Sequence, residues 1–280
     1  MDNMIYAGIV LYNPGMIRLK ENISLIIGQV DKVVLVDNGS KNMDEVENLL
    51  TQWDNIELVK NEKNEGIALA LNQIIEFGKK NGFAWGVTLD QDSVTDEHLI
   101  KNYLNFLQKH EIDKIGCLTC NIIDRNFKLH HEYRKDIEYK EIEYCITSGT
   151  LMNVEATIAV GGFDSSMFID KVDCDICINL RRHGYKIIQI DYDGLLHEVG
   201  HARQINLGFR KWEMYNHSPF RRYYMCRNTS YLLKKYHDEY VLKMFFRELF
   251  HTILVFVFEE KKVEKFAEGI KGFVDGMFNC

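Results

Sequence analysis

The chain has 280 residues, 46% hydrophobic and 27% charged, which is enough to bury a sizeable core in one large α/β domain. Its formal net charge of −7 argues against general nucleic-acid binding, which rests on neutralising phosphates, but leaves room for a local basic pocket. Seven cysteines, an odd number in a chain this long, argue against a disulfide framework. Met1 to Asn13 has no basic region followed by an apolar core and a cleavage site. No stretch reaches the ~18 apolar residues that span a bilayer. The expected compartment is the cytoplasm.

In chain order, Met4 to Leu11 reads as a buried strand stopped by Asn13-Pro14-Gly15. Arg18 to Val30 has helical spacing, with Leu19, Ile23, Ile26 and Ile27 on one face. Lys32 to Val36 is a second strand, ended by Asp37-Asn38-Gly39-Ser40, and Met43 to Gln52 a helix. Ile56 to Lys60 is a third strand; Asn64-Glu65-Gly66 opens a helix to about Lys80; Phe83 to Leu89 is a fourth strand, running into Asp90-Gln91-Asp92-Ser93. Such alternation predicts a parallel sheet with right-handed crossovers, whose ligands sit beyond the carboxyl ends of the strands. Three polar clusters fall at those ends, and their convergence points to a nucleotide-type site.

Further on, Glu97 to Lys109 reads as a helix, Lys114 to Ile123 as a strand, and Lys128 to Glu143 as a surface loop or hairpin. Tyr144 to Asn153 is strand-like and Glu155 to Val160 a short helix. Asp173 to His183 is a helix stopped by Gly184, and Lys186 to Asp191 a strand. Cys117/Cys120 and Cys174/Cys177 have C-x-x-C spacing, which zinc sites use. One pair lies in a strand-like run and the other in a helical run, so buried thiols are the stronger reading.

Asp90 and Asp92 stand two apart at a strand end, and period-two geometry puts both side chains on one side. Two carboxylates that close repel unless a cation lies between them. Oxygen ligands with open positions suit Mg²⁺ or Mn²⁺, which also grip a diphosphate. The competing reading is that Asp92 or Ser93 caps a following helix.

Asp37-Asn38-Gly39-Ser40, Asn64-Glu65-Gly66 with the following Ala-Leu-Asn, and Leu89-Asp90-Gln91-Asp92-Ser93 together resemble the donor-binding half of glycosyltransferase family 2. The Asp-Gln-Asp-Ser form resembles its bacterial rhamnosyltransferase branch. The resemblance covers about residues 4 to 230. It implies a GT-A fold: an α/β architecture with a mixed, mainly parallel sheet flanked by helices. The expected organisation is a catalytic domain over 1–230, with a donor half to 95 and an acceptor half after it, then a helical extension over 231–280. By resemblance Asp37, Asn38, Asn64, Gly66, Asp90 and Gln91 lie near the donor nucleotide, and Asp92 holds the metal.

Inverting transfer needs a carboxylate to take the acceptor proton, and Asp170, Asp173 and Asp175 are the candidates. The family places an acidic pair before a helix reading Cys-x-x-x-x-Arg-x-Gly-Tyr, here Cys177 to Tyr185. That register puts the pair at Val172-Asp173. Asp173 becomes the expected base; Val172 departs from the pattern and keeps Asp170 as a substitute. The alternative role for Asp173 and Asp175 is to complement the helix dipole. Gly162, Phe163 and Asp164 are the expected acceptor neighbours. His197 and His201 would share a face if that segment were helical; the resemblance suggests that His197 completes the metal shell. Tyr223-Tyr224-x-x-Arg227-Asn228 resembles a family segment beside the pyrophosphate, and Arg forks suit phosphate oxygens, which selects Arg222 and Arg227. A solvated basic helix face is the plainer alternative.

Val241 to Phe258 is rich in apolar and aromatic residues, compatible with core packing, a homodimer interface or peripheral contact with a membrane. What the resemblance implies is an inverting, metal-dependent transferase using Mg²⁺ or Mn²⁺. It would move rhamnose from dTDP-L-rhamnose to a glycan or lipid-linked acceptor of surface polysaccharide. The alternatives are another dTDP- or UDP-sugar donor, or a non-catalytic nucleotide-sugar-binding module.

Overall fold

A computed structural model describes residues 4–124, 137–197, 203–206, 208 and 211–279. The chain forms two compact units: Met1–Ser166 with Asp173–Glu198, and Met167–Val172 with Val199–Cys280.

The first unit opens with β1 (Ile5–Leu11), α1 (Met16–Ile26), β2 (Lys32–Asp37), α2 (Met43–Leu50), β3 (Ile56–Lys60), α3 (Ile67–Lys80) and β4 (Trp85–Asp90). β5 (Val94–Thr95), α4 (Leu99–Lys109), β6 (Ile115–Asp124), β7 (Tyr139–Glu141), β8 (Thr150–Asn153), α5 (Val154–Ala159), α6 (Val172–Arg182) and β9 (Lys186–His197) follow. They build a nine-stranded sheet in the order β3-β2-β1-β4-β8-β6-β9-β5, with β7 also on β9. β1 to β4 pair in parallel, β8 runs antiparallel between β4 and β6, and β6 and β9 are parallel. The sheet is mixed, as expected.

Alternation along β1 sorts the two faces. Ile5, Ala7, Ile9 and Leu11 join a core cluster with Leu19, Ile23 and Ile26 of α1, Val46 of α2 and Tyr103 of α4. Tyr6 and Gly8 turn the other way, toward α3: the Tyr6 hydroxyl donates to the Ile74 carbonyl at 2.9 Å. The strand ends are thereby locked between helices, and the loops after β1, β2 and β4 gather at the carboxyl edge.

Two expectations change. The run from Tyr144 to Asn153 is extended only from Thr150, because Gly149 adopts φ 75° and breaks it. β9 continues six residues past Asp191, through irregular register with β6, and ends at His197. His197 therefore sits on a strand, not on a helix shared with His201, which lies outside the described residues, as do residues 128–136 of the expected loop. β5 and β7 are too short to carry a period.

The second unit contains the hairpin β10 (Arg203–Asn206) and β11 (Lys211–Met214) and the helices α7 (Pro219–Tyr236), α8 (Glu239–Phe258) and α9 (Lys262–Phe278). α7, expected with the catalytic domain, groups with α8 and α9. α7 and α9 meet through glycines: a Cβ on Gly272 would stand 2.3 Å from the Tyr223 carbonyl oxygen, and one on Gly276 2.0 Å from that of Arg227. Bare backbone is what lets the helices approach that closely. α8 buries Val241, Glu248, Thr252 and Val255 and leaves Leu242, Phe246, Ile253 and Val257 exposed. Among the described residues, no helix is long and apolar enough to cross a membrane.

Candidate active site

The β2 end is built around Asp37 and Asn38, both buried. Asp37 Oδ2 accepts from the backbone N–H groups of Gly39 and Ser40, each at 3.0 Å. Its Oδ1 is buried with no hydrogen-bond donor among the described residues, an acceptor suited to a ligand N–H or O–H. Asn38 donates to the Gly66 carbonyl at 3.1 Å and accepts from Asn61 at 3.0 Å. Asn64 accepts from the Gly66 N–H at 3.0 Å. Asn38, Asn64 and Gly66 thus knit the β2 end to the entry of α3. Gln91 accepts from the Tyr12 N–H at 2.8 Å and donates back to the Tyr12 carbonyl, tying the β4 loop to the β1 loop.

Asp90, Asp92 and His197 converge. Each offers one ligand atom, all within 4.8 Å of one another, and all three residues are half-buried. β4 delivers the carboxylates and the far end of β9 delivers the imidazole. Asp92 and Ser93 do not cap α4, which starts at Leu99 with His98 at its N-cap. Ser93 instead reaches His197 Nδ1 at 2.8 Å and accepts from the Ser148 hydroxyl at 2.7 Å. Holding Nδ1 fixes the ring and leaves Nε2 for a cation. Two hard oxygen donors and one imidazole suit Mn²⁺ or Mg²⁺. No cysteine joins a metal cluster among the described residues; Cys117, Cys120, Cys174 and Cys177 are buried thiols outside any disulfide.

Asp173 stands in the first turn of α6. Its Oδ2 accepts from the Tyr144 hydroxyl, and its Oδ1 from the Cys174 backbone N–H at 2.9 Å. Asp175 is buried, which removes it from contact with an acceptor. Asn72 on α3 clamps the loop after Gly162: it accepts from the Phe163 N–H and donates to the Phe163 carbonyl, both at 2.8 Å. Gly162 has φ 76°, and a Cβ there would meet Asn72 Oδ1 at 2.6 Å. The Phe163 ring is buried, so only its backbone and the neighbouring Asp164 can face a ligand. Asp164 accepts from the Ser166 N–H at 3.0 Å.

In the helical unit, Asp170 and Lys171 both have left-handed backbone, φ 65° and 64°. Asn228 donates to the carbonyls of Ile169 and Asp170, both at 2.8 Å. The Asp170 carboxylate is gripped by Arg221 through contacts of 3.0 to 3.2 Å, which fits it poorly for taking a proton. Arg222, expected at a phosphate, is 1% exposed. It donates to Thr252 and meets His251 Nδ1 at 3.0 Å. Its Nη2 lies 2.7 Å from Glu248 Oε1, an ion-pair distance set too obliquely for a hydrogen bond. Arg222 is therefore spent on α8 and is withdrawn from the phosphate role. Arg227 donates to Asn228 at 2.7 Å and lies over the Tyr231 ring. Tyr144 escaped the sequence reading because it is a single polar residue outside any motif; Ser93 and Asn72 stand in quoted motifs, but their partners His197 and Phe163 were not foreseen.

A mixed sheet whose carboxyl edge gathers an Asp-x-Asp pair and a histidine defines a nucleotide-sugar transferase fold, and the chain belongs to glycosyltransferase family 2. Residues 9–170 match the family model described as Glycosyl transferase family 2. Across 293 aligned residues the chain is 29% identical to the dTDP-rhamnosyl transferase RfbF of Shigella flexneri, covering 99% of this chain and 96% of that one. Among solved structures, S. aureus TarS 1–349 superposes with a TM-score of 0.60 at 13% identity, over 98% of this chain and 81% of that one. GalNAc-T7, solved with UDP, GalNAc and Mn²⁺, does so with a TM-score of 0.63 at 14% identity, over 98% and 56%. Both are likenesses of fold, the GT-A fold.

Proposed function

We propose that the chain is an inverting, metal-dependent rhamnosyltransferase. It transfers L-rhamnose from dTDP-L-rhamnose to a glycan or lipid-linked acceptor for surface polysaccharide. The observation that carries the donor chemistry is the Asp90–Asp92–His197 cluster at the carboxyl edge of the sheet. The near-full-length likeness to RfbF supports the choice of sugar.

In this reading Asp37, Asn38, Asn64 and Gly66 frame the nucleoside, and Gln91 holds the loops around it. Asp90, Asp92 and His197 hold Mn²⁺ or Mg²⁺, which would neutralise charge on the departing diphosphate. Asp173 takes the acceptor proton as the acceptor oxygen attacks the anomeric carbon. The loop Gly162–Asp164 borders the acceptor, and Arg227 remains the candidate for phosphate.

The test is a panel of dTDP- and UDP-sugars assayed for nucleoside diphosphate release with Mn²⁺ or Mg²⁺, for the wild type and Asp173→Asn. Release from dTDP-rhamnose, abolished by chelation and by the substitution, is expected. Release from a UDP-sugar instead would keep the mechanism and discard the rhamnosyl assignment. Donor binding without turnover, even with a cell-derived glycan acceptor, would favour a non-catalytic module.

The exposed stripe of α8 offers a face for the homodimer or peripheral-membrane contact that accompanies this reading at the cytoplasmic side of a membrane. Sedimentation and vesicle flotation separate the two.

A further inference from the structure

We infer that Tyr144 is a positioning residue for transfer: its hydroxyl fixes the orientation of the Asp173 carboxylate. The inference rests on the reading of Asp173 as the base.

The geometry is that of a held carboxylate. Oδ2 accepts from the Tyr144 hydroxyl and Oδ1 from the Cys174 backbone N–H. A carboxylate has about four lone-pair sites, and donors on both of its oxygens fix its plane. The Cys174 contact comes from the helix itself and moves with α6. Tyr144 comes from the irregular segment ahead of β8, and it sets the side-chain rotamer from outside the helix.

That segment is anchored independently of the tyrosine. Cys145 Sγ lies 3.9 Å from Cys177 Sγ, and the Cys177 thiol donates to the Cys145 carbonyl at 3.6 Å. Cys177 is four residues after Asp173, on the same face of α6 one turn later. Thr150 at the start of β8 donates to the Ile146 carbonyl at 2.6 Å. The segment therefore meets α6 at two successive turns, once through sulfur and once through the phenol. A phenol presented by a fixed backbone restricts a carboxylate more than a water would.

Burial, then the charge of Asp173, pushes the Tyr144 phenol well above its ordinary range. It stays protonated, and so a donor, throughout the working range of the enzyme. The thiols Cys174 and Cys177 add to that upward shift. In the transfer step the acceptor O–H proton passes to Asp173. The new bond forms from the acceptor oxygen to the anomeric carbon. The bond from that carbon to the phosphate oxygen breaks, its electron pair leaving with the nucleoside diphosphate. Tyr144 neither gains nor loses a proton.

The experiment compares wild type, Tyr144→Phe and Asp173→Asn in the full chain, following nucleoside diphosphate release from dTDP-rhamnose against pH, with Tm and donor binding. Tyr144→Phe should lower kcat about tenfold, short of the roughly 10²–10⁴ that loss of a general base costs. Donor KM and Tm should stay near wild type. The acid limb should move to higher pH, because a donor to the ionised carboxylate has been removed. Fluorotyrosine at position 144 keeps the ring and strengthens the donor, and should move that limb to lower pH. An unmoved limb with both replacements, while Asp173→Asn is dead, overturns the role of Tyr144 and spares that of Asp173. Full turnover in Asp173→Asn removes the base itself, and the inference with it.

Discussion

Ser93 Oγ lies 2.8 Å from His197 Nδ1, so a buried hydroxyl on the loop after β4 sets the orientation of an imidazole 104 residues later in the chain. Outer contacts of this kind are worth about 10–100-fold in metal affinity. Ser93→Ala should weaken Mn²⁺ binding by about that factor, read by calorimetric titration. Unchanged affinity would mean that the ring is held by its strand alone.

Asp170 and Asp173 compete for one role three residues apart, and their partners separate them. Arg221 neutralises the Asp170 carboxylate; Asp173 accepts from the Tyr144 hydroxyl and the Cys174 backbone N–H. Asp170→Asn is expected to keep most donor turnover and to lose some Tm, whereas Asp173→Asn keeps Tm and loses turnover. The reverse pattern in kcat would hand the base to Asp170.

The buried Glu248 gives the helical unit a pH dependence. Burial raises its pKa, but Lys171 and Arg222 outweigh that and hold it below the ordinary carboxylate range. A carboxyl depressed on folding stabilises the fold above its unfolded pKa, about 4.3. That stabilisation is lost as pH falls through the folded value. Tm should therefore drop below about pH 4, and Glu248→Gln should flatten that limb. Glu248→Ala, which strands Arg222 in the interior, should cost about 3–5 kcal/mol at neutral pH, measured by urea unfolding.

At the α7–α9 seam, Gly276→Ala puts a methyl group 2.0 Å from the Arg227 carbonyl oxygen. Backbone cannot yield as a side-chain tip does, so an overpacking cost of about 1–3 kcal/mol is expected. Gly28→Ala, which meets no atom within 4 Å and has no positive φ, serves as a control for the general effect of replacing glycine. A Tm loss at position 276 no larger than at position 28 would refute the close approach.

Much of the donor half could be read from the sequence because three strand ends carry their polar residues in consecutive order. Asp37, Asp90 and Asp92 announce themselves by position alone. His197 needed the family resemblance, since its strand runs on past Asp191 through an irregular register with no readable period. Arg222 misled because a guanidinium in an Arg-Arg-Tyr-Tyr run looks solvated or ligand-bound. Its buried partner, Glu248, sits 26 residues away in a largely apolar segment with a polar stripe, where nothing in the sequence marks it as the buried charge. Tyr144 left no trace, because a lone tyrosine in a loop acquires meaning only through what it touches.

The chain leaves the sheet unit at Ser166, contributes six residues to the helical unit and returns at Asp173. Those six residues are held by Asn228 and Arg221, which a ribosome delivers more than fifty residues later. A nascent chain whose sheet has already assembled therefore still lacks the anchor for the turn just ahead of Asp173. A truncation after residue 198 would therefore be expected to leave the segment 167–172 without the Arg221 and Asn228 contacts that hold it.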